Sequence, residues 1–279
     1  MLRLAGARLL DDRDLPALRA LLDSDPVAYC FVASRVEAAG LEPWRLGAEV
    51  WGCGGRPLAA ACFSGTNLVP IGSSGPALRS FADRARRQGR RCSSIVGPAD
   101  AVGPLWEQLA PYWGTPREFR PSQPLLAIGR PPAVPPDPAV RRVRPDELDA
   151  LIPACVAMFT EEVGTSPLGA DGGATYRARV RDLVAAGRAF ARIEGGEVIF
   201  KAEVGAVSRR ACQVQGVWVH PRHRGRGLGT AGTAAVVAEA LRSLAPVVSL
   251  YVNDFNAPAR AAYRRVGLTD VGTFASVLF

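Results

Sequence analysis

The spacing of apolar residues along the chain changes repeatedly between the period of amphipathic helices and that of strands. In the first 129 residues the pattern predicts helices over 13–23, 27–39, 75–89 and 100–113. It predicts strands there over 46–53, 57–64, 92–97 and 124–129, the first two as a hairpin. Helices and strands are therefore mixed from the start of the chain, which favours a sheet covered by helices.

The remainder of the chain shows the same mixture. Helices are expected over 146–160, 172–187, 228–243 and 256–266, and strands over 189–194, 197–207, 212–219, 247–252 and 271–278. Gly195 and Gly196 separate the first two of these strands, which is a strong hairpin signal. Hairpins together with helical crossovers imply an α/β or α+β fold with a mixed sheet.

A proline-rich segment divides the chain. Residues 130–139 read R-P-P-A-V-P-P-D-P-A, with five prolines and no amphipathic period, a composition typical of an extended linker. The segments 9–18 and 142–151, one on each side, both run from a short strand into a helix, with apolar residues recurring 133 positions later. The sequence therefore predicts a domain over 1–129 and another over 140–279, and gives a weak indication of internal duplication.

Composition narrows the class of protein. The 279 residues carry 34 Lys+Arg against 26 Asp+Glu, a formal charge of +8, with 48% hydrophobic and 22% charged residues. These values are typical of globular proteins, and no apolar run approaches the roughly 18 residues of a membrane span. The opening M-L-R-L-A-G-A-R is too charged for a signal peptide. We expect a soluble, cytoplasmic protein that makes no membrane contact.

The excess of basic residues does not by itself indicate a nucleic-acid partner. Lys201 is the only lysine, and the arginines are scattered, with their densest clusters at 84–91. Nucleic-acid binding calls for a basic stripe interleaved with aromatic residues, and none is present. A solvated basic surface is the interpretation that the pattern favours.

Cysteine and histidine spacing predicts no metal site. The six cysteines form no C-x-x-C pair and none is spaced from histidine as zinc ligands are. The two histidines, His220 and His223, lie together in an arginine-rich loop. Buried free thiols in a reducing compartment account for the cysteines.

The most informative stretch is a glycine-rich junction between a strand and a helix. Residues 216–232 read G-V-W-V-H-P-R-H-R-G-R-G-L-G-T-A-G, in which an apolar strand ends at Val219 and the glycines precede a long alanine-rich helix. Glycines allow successive backbone N–H groups to converge on one anion, and a helix N-terminus adds unpaired donors. With three arginines in the loop, the segment predicts a phosphate or pyrophosphate site.

Two other phosphate-binding patterns are partly similar to this stretch. A P-loop is excluded because no Gly-Lys-Ser/Thr occurs. Residues 227–232 fit G-x-G-x-x-G, and Asp254 follows about where a ribose-binding acid of a dinucleotide site is expected. An arginine-rich loop separates this motif from its strand, however, and only 25 residues follow Asp254. The dinucleotide reading stays open as the weaker one.

The junction resembles the acyl-CoA signature of the GNAT N-acetyltransferases, R/Q-x-x-G-x-G/A after a strand. A second segment, N-A-P-A-R-A-A-Y-R-R-V-G-L, is similar to the family pattern N-x-x-A-x-x-x-Y-x-x-x-G. The matching positions are Arg224, Gly227 and Gly229 in the first motif and Asn256, Ala259, Tyr263 and Gly267 in the second. The two motifs occur in the family's order, and the resemblance covers residues 140–279.

This resemblance implies tandem GNAT-like domains, each a mixed, mainly antiparallel twisted sheet flanked by helices, with the amino-terminal half a degenerate copy that lacks a cofactor loop. It implies acetyl-CoA as co-substrate and no metal. The pyrophosphate would lie on the N–H groups of 224–229, and the pantetheine arm along the edge of the preceding strand. The cofactor-binding residues implied are Val217, Trp218, Val219, Arg224, Gly225, Arg226, Gly227, Leu228, Gly229, Thr230 and Asn256.

The resemblance also implies catalytic roles. Tyr263 matches the tyrosine that protonates the departing CoA thiolate in family members, although a phenol there could also pack as a core residue. Glu203 is predicted as the general base, with a salt bridge to Lys201 or deprotonation through water as alternatives.

Three further polar residues have two readings each. Asn256 contacts the cofactor, caps the following helix, or does both. Glu161 and Glu162, with the loop 164–173, either border the acceptor site and attract a cationic amine or are exposed glutamates at a helix end.

The sequence thus predicts an acetyl-CoA-dependent N-acetyltransferase that moves an acetyl group to a primary amine by direct attack in a ternary complex. The acceptor would be an amine-bearing small molecule, or a protein or peptide. The amino-terminal half would cover the acceptor cleft, recognise the acceptor or form a homodimer. Alternatives from other classes are a non-catalytic acyl-CoA-binding or regulatory module, an NAD-binding protein and a nucleic-acid-binding protein.

Overall fold

A computed structural model describes residues 6–55, 57–72, 75–169 and 171–279. The first five residues, on which the exclusion of a signal peptide partly depends, lie outside this range. The strands are β1 (Arg8–Leu9), β2 (Glu49–Gly54), β3 (Leu58–Ser64), β4 (Asn67–Ile71), β5 (Ser94–Pro98), β6 (Glu118–Ile128), β7 (Arg141–Arg142), β8 (Ala189–Glu194), β9 (Glu197–Val207), β10 (Cys212–Val219), β11 (Val248–Tyr251) and β12 (Thr269–Leu278).

Helices cover the sheet in both halves of the chain. They are α1 (Leu15–Leu22), α2 (Cys30–Ala39), α3 (Pro43–Leu46), α4 (Gly75–Gln88), α5 (Ala99–Trp113), α6 (Leu148–Val163), α7 (Ala174–Ala185), α8 (Leu228–Ser243) and α9 (Ala257–Val266). In the described part of the chain, none of them is long and apolar enough to cross a membrane.

The strands form one continuous sheet, in which equivalent strands of the two halves lie at equal distances on either side of the centre. The order is β1-β2-β3-β4-β5-β12-β6-β11-β10-β9-β8-β7. Two neighbouring pairs are parallel, β4 with β5 and β10 with β11, and they occupy equivalent places in the two halves; the other pairs are antiparallel. The predicted fold class, tandem domains with a mixed and mainly antiparallel sheet flanked by helices, is confirmed.

The two halves exchange their last strands. β6, from the amino-terminal half, lies between β11 and β12, while β12 pairs with β5 of the amino-terminal half. The exchanged strands also carry apolar side chains into the opposite core. Leu126 and Ile128 of β6 pack in the carboxy-terminal cluster with α8, and Ala275 and Val277 of β12 pack in the amino-terminal cluster with α4 and α5. Each half therefore completes the sheet and core of the other.

A second contact between the halves comes from α2. Ser34 accepts a hydrogen bond from the N–H of Val207 at 3.1 Å, and Glu37 accepts one from the N–H of Arg209 at 3.0 Å. The linker is also held, because Asp137 is paired with Arg192 at 2.9 Å. The predicted limits at 129 and 140 stay a prediction, and the strand exchange shows that the sheet runs across them.

Most predicted elements are confirmed, including the hairpin of β8 and β9 with its predicted bounds. The sequence pattern does not predict β4, which contains Pro70, a residue that removes a backbone donor and lowers strand propensity. It also predicts only the end of β6, which begins at Glu118 rather than at 124. Pro121 and Pro124 within β6 obscure the first residues of that strand in the same way.

Candidate active site

Two neighbouring strands separate in the carboxy-terminal half and leave a groove between them. The ladder of β10 and β11 pairs Cys212 with Val248 and Gln213 with Ser249, and then ends. β10 continues for six residues beyond this point and β11 for two. Their unpaired edges therefore face each other across an open space, where an extended ligand can pair with the backbone as a further strand would.

A bulge in β10 produces the separation. On the β9 side, Gln215 pairs with Glu203 and Trp218 with Lys201, so four residues of β10 oppose three of β9. Gly216 within the bulge has φ +58°, a conformation that other residues rarely adopt. Extra residues of this kind bend a strand and increase its twist. The bulge therefore turns the end of β10 away from β11.

A cavity of about 930 Å³ fills this groove. Its walls come from β10, β11, the end of α6, the start of α8, and α9. The strand β6 of the amino-terminal half closes one side, through Glu118, Arg120 and Gln123. Both halves of the chain therefore contribute to one site.

The glycine loop forms one end of the cavity. Gly225 and Gly227 have φ +75° and +78°, and a Cβ at either position would meet open space, so the backbone conformation rather than crowding requires glycine. The backbone N–H groups of residues 225–229 donate to no acceptor in the described part of the chain. With the N-terminus of the 16-residue α8 behind them, these donors form an anion site.

The charged residues of the loop are differently placed. The Arg224 guanidinium donates to the Val219 carbonyl at 3.0 Å and to Glu161 at 2.7 Å, so it closes the loop over the end of β10. Trp218 donates to the same glutamate at 3.2 Å. Arg226 is exposed and does not line the cavity. The other predicted cofactor residues do line it.

Two contacts of His220 support the loop, a role that its sequence position did not indicate. His220 accepts a hydrogen bond at Nδ1 from the N–H of Arg222 and pairs at Nε2 with Glu197, 3.2 Å away. Arg222 also contacts Glu197, at 3.3 Å. Through these contacts with Glu197, His220 and Arg222 join the loop to the start of β9. In the sequence, the spacing of the histidines bears only on metal binding and does not indicate this supporting role. Within the described residues, no group of three metal-binding side chains occurs.

Tyr263 lies in the wall of the cavity on α9. Its side chain is 7% exposed, and burial raises the pKa of the phenol well above its ordinary value, with a smaller contribution from the charge of Glu162. The hydroxyl therefore keeps its proton at all ordinary pH values. Asn256 caps α9 by accepting from the N–H of Ala259 at 3.2 Å, which confirms its capping role, and it also lines the cavity.

Glu203 is placed differently from Tyr263, since it does not line the cavity. Its carboxylate accepts from Arg179 at 2.8 Å and from Gln215 at 2.7 Å, and lies 3.5 Å from Lys201. Burial alone would raise the pKa of Glu203, but the charges of Lys201 and Arg179, with the bond from Gln215, bring it below the ordinary value. The buried pair of Lys201 and Glu203 lies opposite the bulge and supports it.

The acidic residues at the end of α6 lie across the cavity from α9. Glu161, Glu162 and Glu118 all line it. Glu118 is paired with Arg120 at 2.7 Å, and Arg120 also donates to the backbone carbonyl of Glu162 at 2.8 Å, which satisfies one of the last carbonyls of α6. The sequence indicates Glu161 and Glu162 as candidates but not the residues of β6, because nothing local in β6 indicates that this strand enters the other half.

Two regions of the chain match known protein families, and one of them contains the cavity-lining parts of α8 and α9. Residues 160–268 match the family described as "Acetyltransferase (GNAT) family", and residues 48–151 match a family described as "Domain of unknown function (DUF4081)". No curated protein matches the chain.

Several solved structures have the same fold. An acetyltransferase of the GNAT family from Colwellia psychrerythraea is 12% identical, with 99% of this chain and 100% of that one covered and a TM-score of 0.58. A GCN5-related N-acetyltransferase from Sphaerobacter thermophilus is 19% identical, with 100% and 96% covered and a TM-score of 0.56. A tandem GNAT protein from the clavulanic acid biosynthesis pathway is 17% identical, with 98% of both chains covered and a TM-score of 0.50. At these identities the similarity establishes the fold.

Proposed function

Because residues 160–268 form an acetyltransferase domain of the GNAT family, we propose that this protein transfers an acetyl group from acetyl-CoA to a primary amine, with both substrates bound at once. The observation that carries the proposal is the groove between β10 and β11, which leads from the unpaired backbone donors of residues 225–229 to the phenol of Tyr263. A pyrophosphate-bearing ligand with an extended arm fits such a groove.

The residues present fit acetyl-CoA. Five N–H groups that have no acceptor within the described part of the chain lie at a helix N-terminus and suit a pyrophosphate, and the positive φ of Gly225 and Gly227 holds them in place. The residues that would hold it line the groove from Val217 to Thr230, and Asn256 faces it from α9. Bound acetyl-CoA supplies an activated thioester carbonyl. The tight turn of a dinucleotide site is absent, since residues 220–227 separate β10 from α8.

The end of β10 offers a donor to that carbonyl. The N–H of His220 donates to the Ile199 carbonyl of β9 at 2.9 Å. Backbone groups alternate along a strand, so the N–H and C=O of Val219 point the other way, and Arg224 indeed reaches the Val219 carbonyl from that side. The Val219 N–H therefore faces the groove, where it can polarise a carbonyl and stabilise negative charge that develops on its oxygen.

Tyr263 supplies the proton for the leaving thiolate. The phenol is buried in the cavity wall, and it holds its proton because burial raises its pKa. Glu203, predicted as the general base, has its carboxylate occupied by Arg179, Gln215 and Lys201, an arrangement that suits support of the bulge. Its role in proton transfer stays a prediction.

The cellular setting follows from the thiols. All six cysteines are free and buried, which suits a reducing compartment, and we include a cytoplasmic location in the proposal on this ground.

Calorimetric titration of the full chain with acetyl-CoA and, separately, with NADH tests the proposal. We expect micromolar binding of acetyl-CoA, no binding of NADH, and release of CoA thiol that depends on added amine. Binding of acetyl-CoA without any release would favour the non-catalytic alternative. Binding of NADH instead would overturn the proposal.

A further inference from the structure

A chain of side-chain hydrogen bonds runs from the centre of the sheet to the wall of the cavity. The Ser276 hydroxyl of β12 donates to Gln123 Oε1 of β6 at 2.6 Å, and Gln123 Nε2 donates to Asn253 Oδ1 at 2.9 Å. Ser276 and Gln123 are 5% and 3% exposed, whereas Asn253, just beyond the end of β11, is half-buried. Gln123 and Asn253 both line the cavity. Because buried polar groups need their hydrogen bonds, this chain fixes the position of each amide.

The bond lengths define the direction of the chain. A hydroxyl donor approaches an oxygen to about 2.7 Å, whereas an amide N–H donor stays about 2.9 Å from its acceptor. The 2.6 Å contact of Ser276 therefore joins its hydroxyl to the oxygen, and not the nitrogen, of the Gln123 amide. The Gln123 nitrogen consequently points to Asn253, whose oxygen accepts from it. The NH2 group of Asn253 is left on the opposite side of the carboxamide.

The backbone around Asn253 is also held in place. The N–H of Val252 donates to the Pro124 carbonyl of β6 at 3.2 Å, and the Asn253 carbonyl accepts from the N–H of Asn256 at 3.0 Å. Asn253 Nδ2 donates to no acceptor among the described residues, and the side chain lines the cavity. A primary amide that is held through its oxygen and unpaired at its nitrogen presents two donors to a ligand.

The charges of the cavity wall give no preference for a charged acceptor body. The wall carries three glutamates and three arginines: Glu118, Glu161, Glu162, Arg120, Arg224 and Arg265. Glu118 is bonded to Arg120, and Glu161 to Arg224, at 2.7 Å each. The remaining glutamate and arginine are exposed to solvent, where charges are screened. The neutral NH2 group of Asn253 therefore suits an uncharged carbonyl oxygen.

We propose that Gln123 is a positioning residue, which turns the NH2 group of Asn253 toward the acceptor, and that the acceptor carries an uncharged carbonyl group that accepts a hydrogen bond from Asn253. An amino-acid amide or a peptide has this chemistry. The inference rests on the proposed acetyl transfer and names the acceptor class for it. Because Gln123 lies on β6, the amino-terminal half takes part in selecting the acceptor.

Two pairs of amines with matched shapes test the proposal. Glycinamide is compared with isobutylamine, and β-alaninamide with 3-methylbutylamine, so that in each pair a carboxamide replaces a branched alkyl group of the same size. The full chain is compared with Asn253→Leu, with Gln123→Met, and with the control Gln108→Met on α5 outside the cavity. The readouts are kcat and KM for release of CoA thiol, acetyl-CoA affinity by calorimetry, and melting temperature.

The deciding quantity is the ratio of kcat/KM for the amide to kcat/KM for the alkyl amine in each pair. The amines differ in basicity, but this difference cancels when the ratio in a variant is divided by the ratio in the parent. One neutral hydrogen bond corresponds to about fivefold in affinity. We expect Asn253→Leu to lower the ratio by at least about fivefold in one pair or both, mainly through the KM of the amide.

Gln123→Met should lower the same ratio by a similar factor, because it releases the Asn253 amide from its fixed orientation. A purely structural role would lower kcat/KM for both members of a pair alike and leave the ratio unchanged. If Gln123→Met does not fold, Ser276→Ala provides the same test, since it releases the Gln123 amide. Gln108→Met should keep the ratio within about twofold of the parent.

The contrary results separate the parts of the argument. A ratio within about twofold of the parent in Asn253→Leu, for both pairs, would overturn the acceptor class. A ratio lowered in Asn253→Leu but retained in Gln123→Met would overturn the positioning role of Gln123. A parent chain that does not bind acetyl-CoA, or that binds it and releases no thiol with any amine, would overturn the proposed function and this inference with it.

Discussion

Replacing Gly227 by valine should greatly weaken acetyl-CoA binding, because it changes the backbone conformation of the loop. Gly227 precedes the first residue of α8 with φ +78°, and a Cβ there meets no atom within 4 Å. A β-branched residue avoids positive φ, so the expected response is rotation of the peptide rather than a clash. Rotation of the two peptide groups that flank Gly227 turns the N–H groups of Gly227 and Leu228 away from the anion.

The size of the effect follows from the number of donors lost. Keeping the left-handed conformation would cost about 1–2 kcal/mol. Losing two hydrogen bonds to a charged group costs about 1.5–3 kcal/mol each, or roughly 3–6 kcal/mol in total. At 1.4 kcal/mol per factor of ten, the dissociation constant of acetyl-CoA should rise by about 10²–10⁴.

Gly89→Val provides the matched control. Gly89 follows α4 with φ +74° and also has open space around its Cβ, so it carries the same backbone strain away from the cavity. Calorimetry should show acetyl-CoA affinity lost in Gly227→Val and retained in Gly89→Val, with similar decreases in melting temperature. Affinity within about threefold of the parent in Gly227→Val, or equal loss in both variants, would refute the reasoning.

Other perturbations test the remaining parts of the site. Tyr263→Phe should lower kcat by roughly 10²–10⁴ at unchanged acetyl-CoA affinity, measured by steady-state kinetics and calorimetry; an unchanged kcat removes the phenol from the mechanism. Arg120→Ala should raise the amine KM by about tenfold or more while Arg120→Lys restores part of it, since this residue holds the end of α6 at the cavity wall; equal losses in both would point to folding alone. The lowered pKa of Glu203 means that its ionised form stabilises the fold above the unfolded value of 4.5 and that this contribution is lost as pH falls; the stability difference between the parent and Glu203→Gln should therefore shrink on acidification, as followed by urea unfolding. A chain of residues 140–279 lacks β6 and leaves β11 and β12 with unpaired edges, so it should aggregate in size-exclusion chromatography, whereas a folded monomer would show that the exchange is dispensable.

Local signals in the sequence predicted most of the elements. The hairpin of β8 and β9 follows from alternation and a Gly-Gly pair, and the end of β10 and start of α8 follow from an apolar run and a glycine loop. The cap that Asn256 forms on α9 likewise follows from residues close to it in the sequence. Each of these depends on residues within a few positions of one another.

What the sequence could not predict depends on contacts between distant segments. β6 reads as an ordinary final strand of its half, and only the assembled sheet places it between β11 and β12. Glu161 and Glu162 are neighbours of the same type, and only the positions of Arg224 and Trp218 show that Glu161 is paired while Glu162 has no partner among the described residues. The isolation of Glu203 from the cavity is likewise a result of three partners from separate elements.

The strand exchange also explains how a half without a glycine loop like that of residues 224–229 takes part in the site. Through β6 it supplies Glu118 and Arg120 to the cavity wall, and through Arg120 it holds the end of α6. The amino-terminal half therefore contributes one side of the cavity wall, while the carboxy-terminal half provides the groove.

The burial of Lys201 has a consequence for the protein as its own potential substrate. It is the only lysine of the chain, and at 1% exposed it lies beneath the bulge of β10. Under the proposed transfer of acetyl groups to amines, the chain therefore presents no exposed lysine side chain of its own as a competing acceptor. Reagents that label primary amines should leave the folded chain unmodified except at its terminal amino group, and become a direct means of following the acceptor alone.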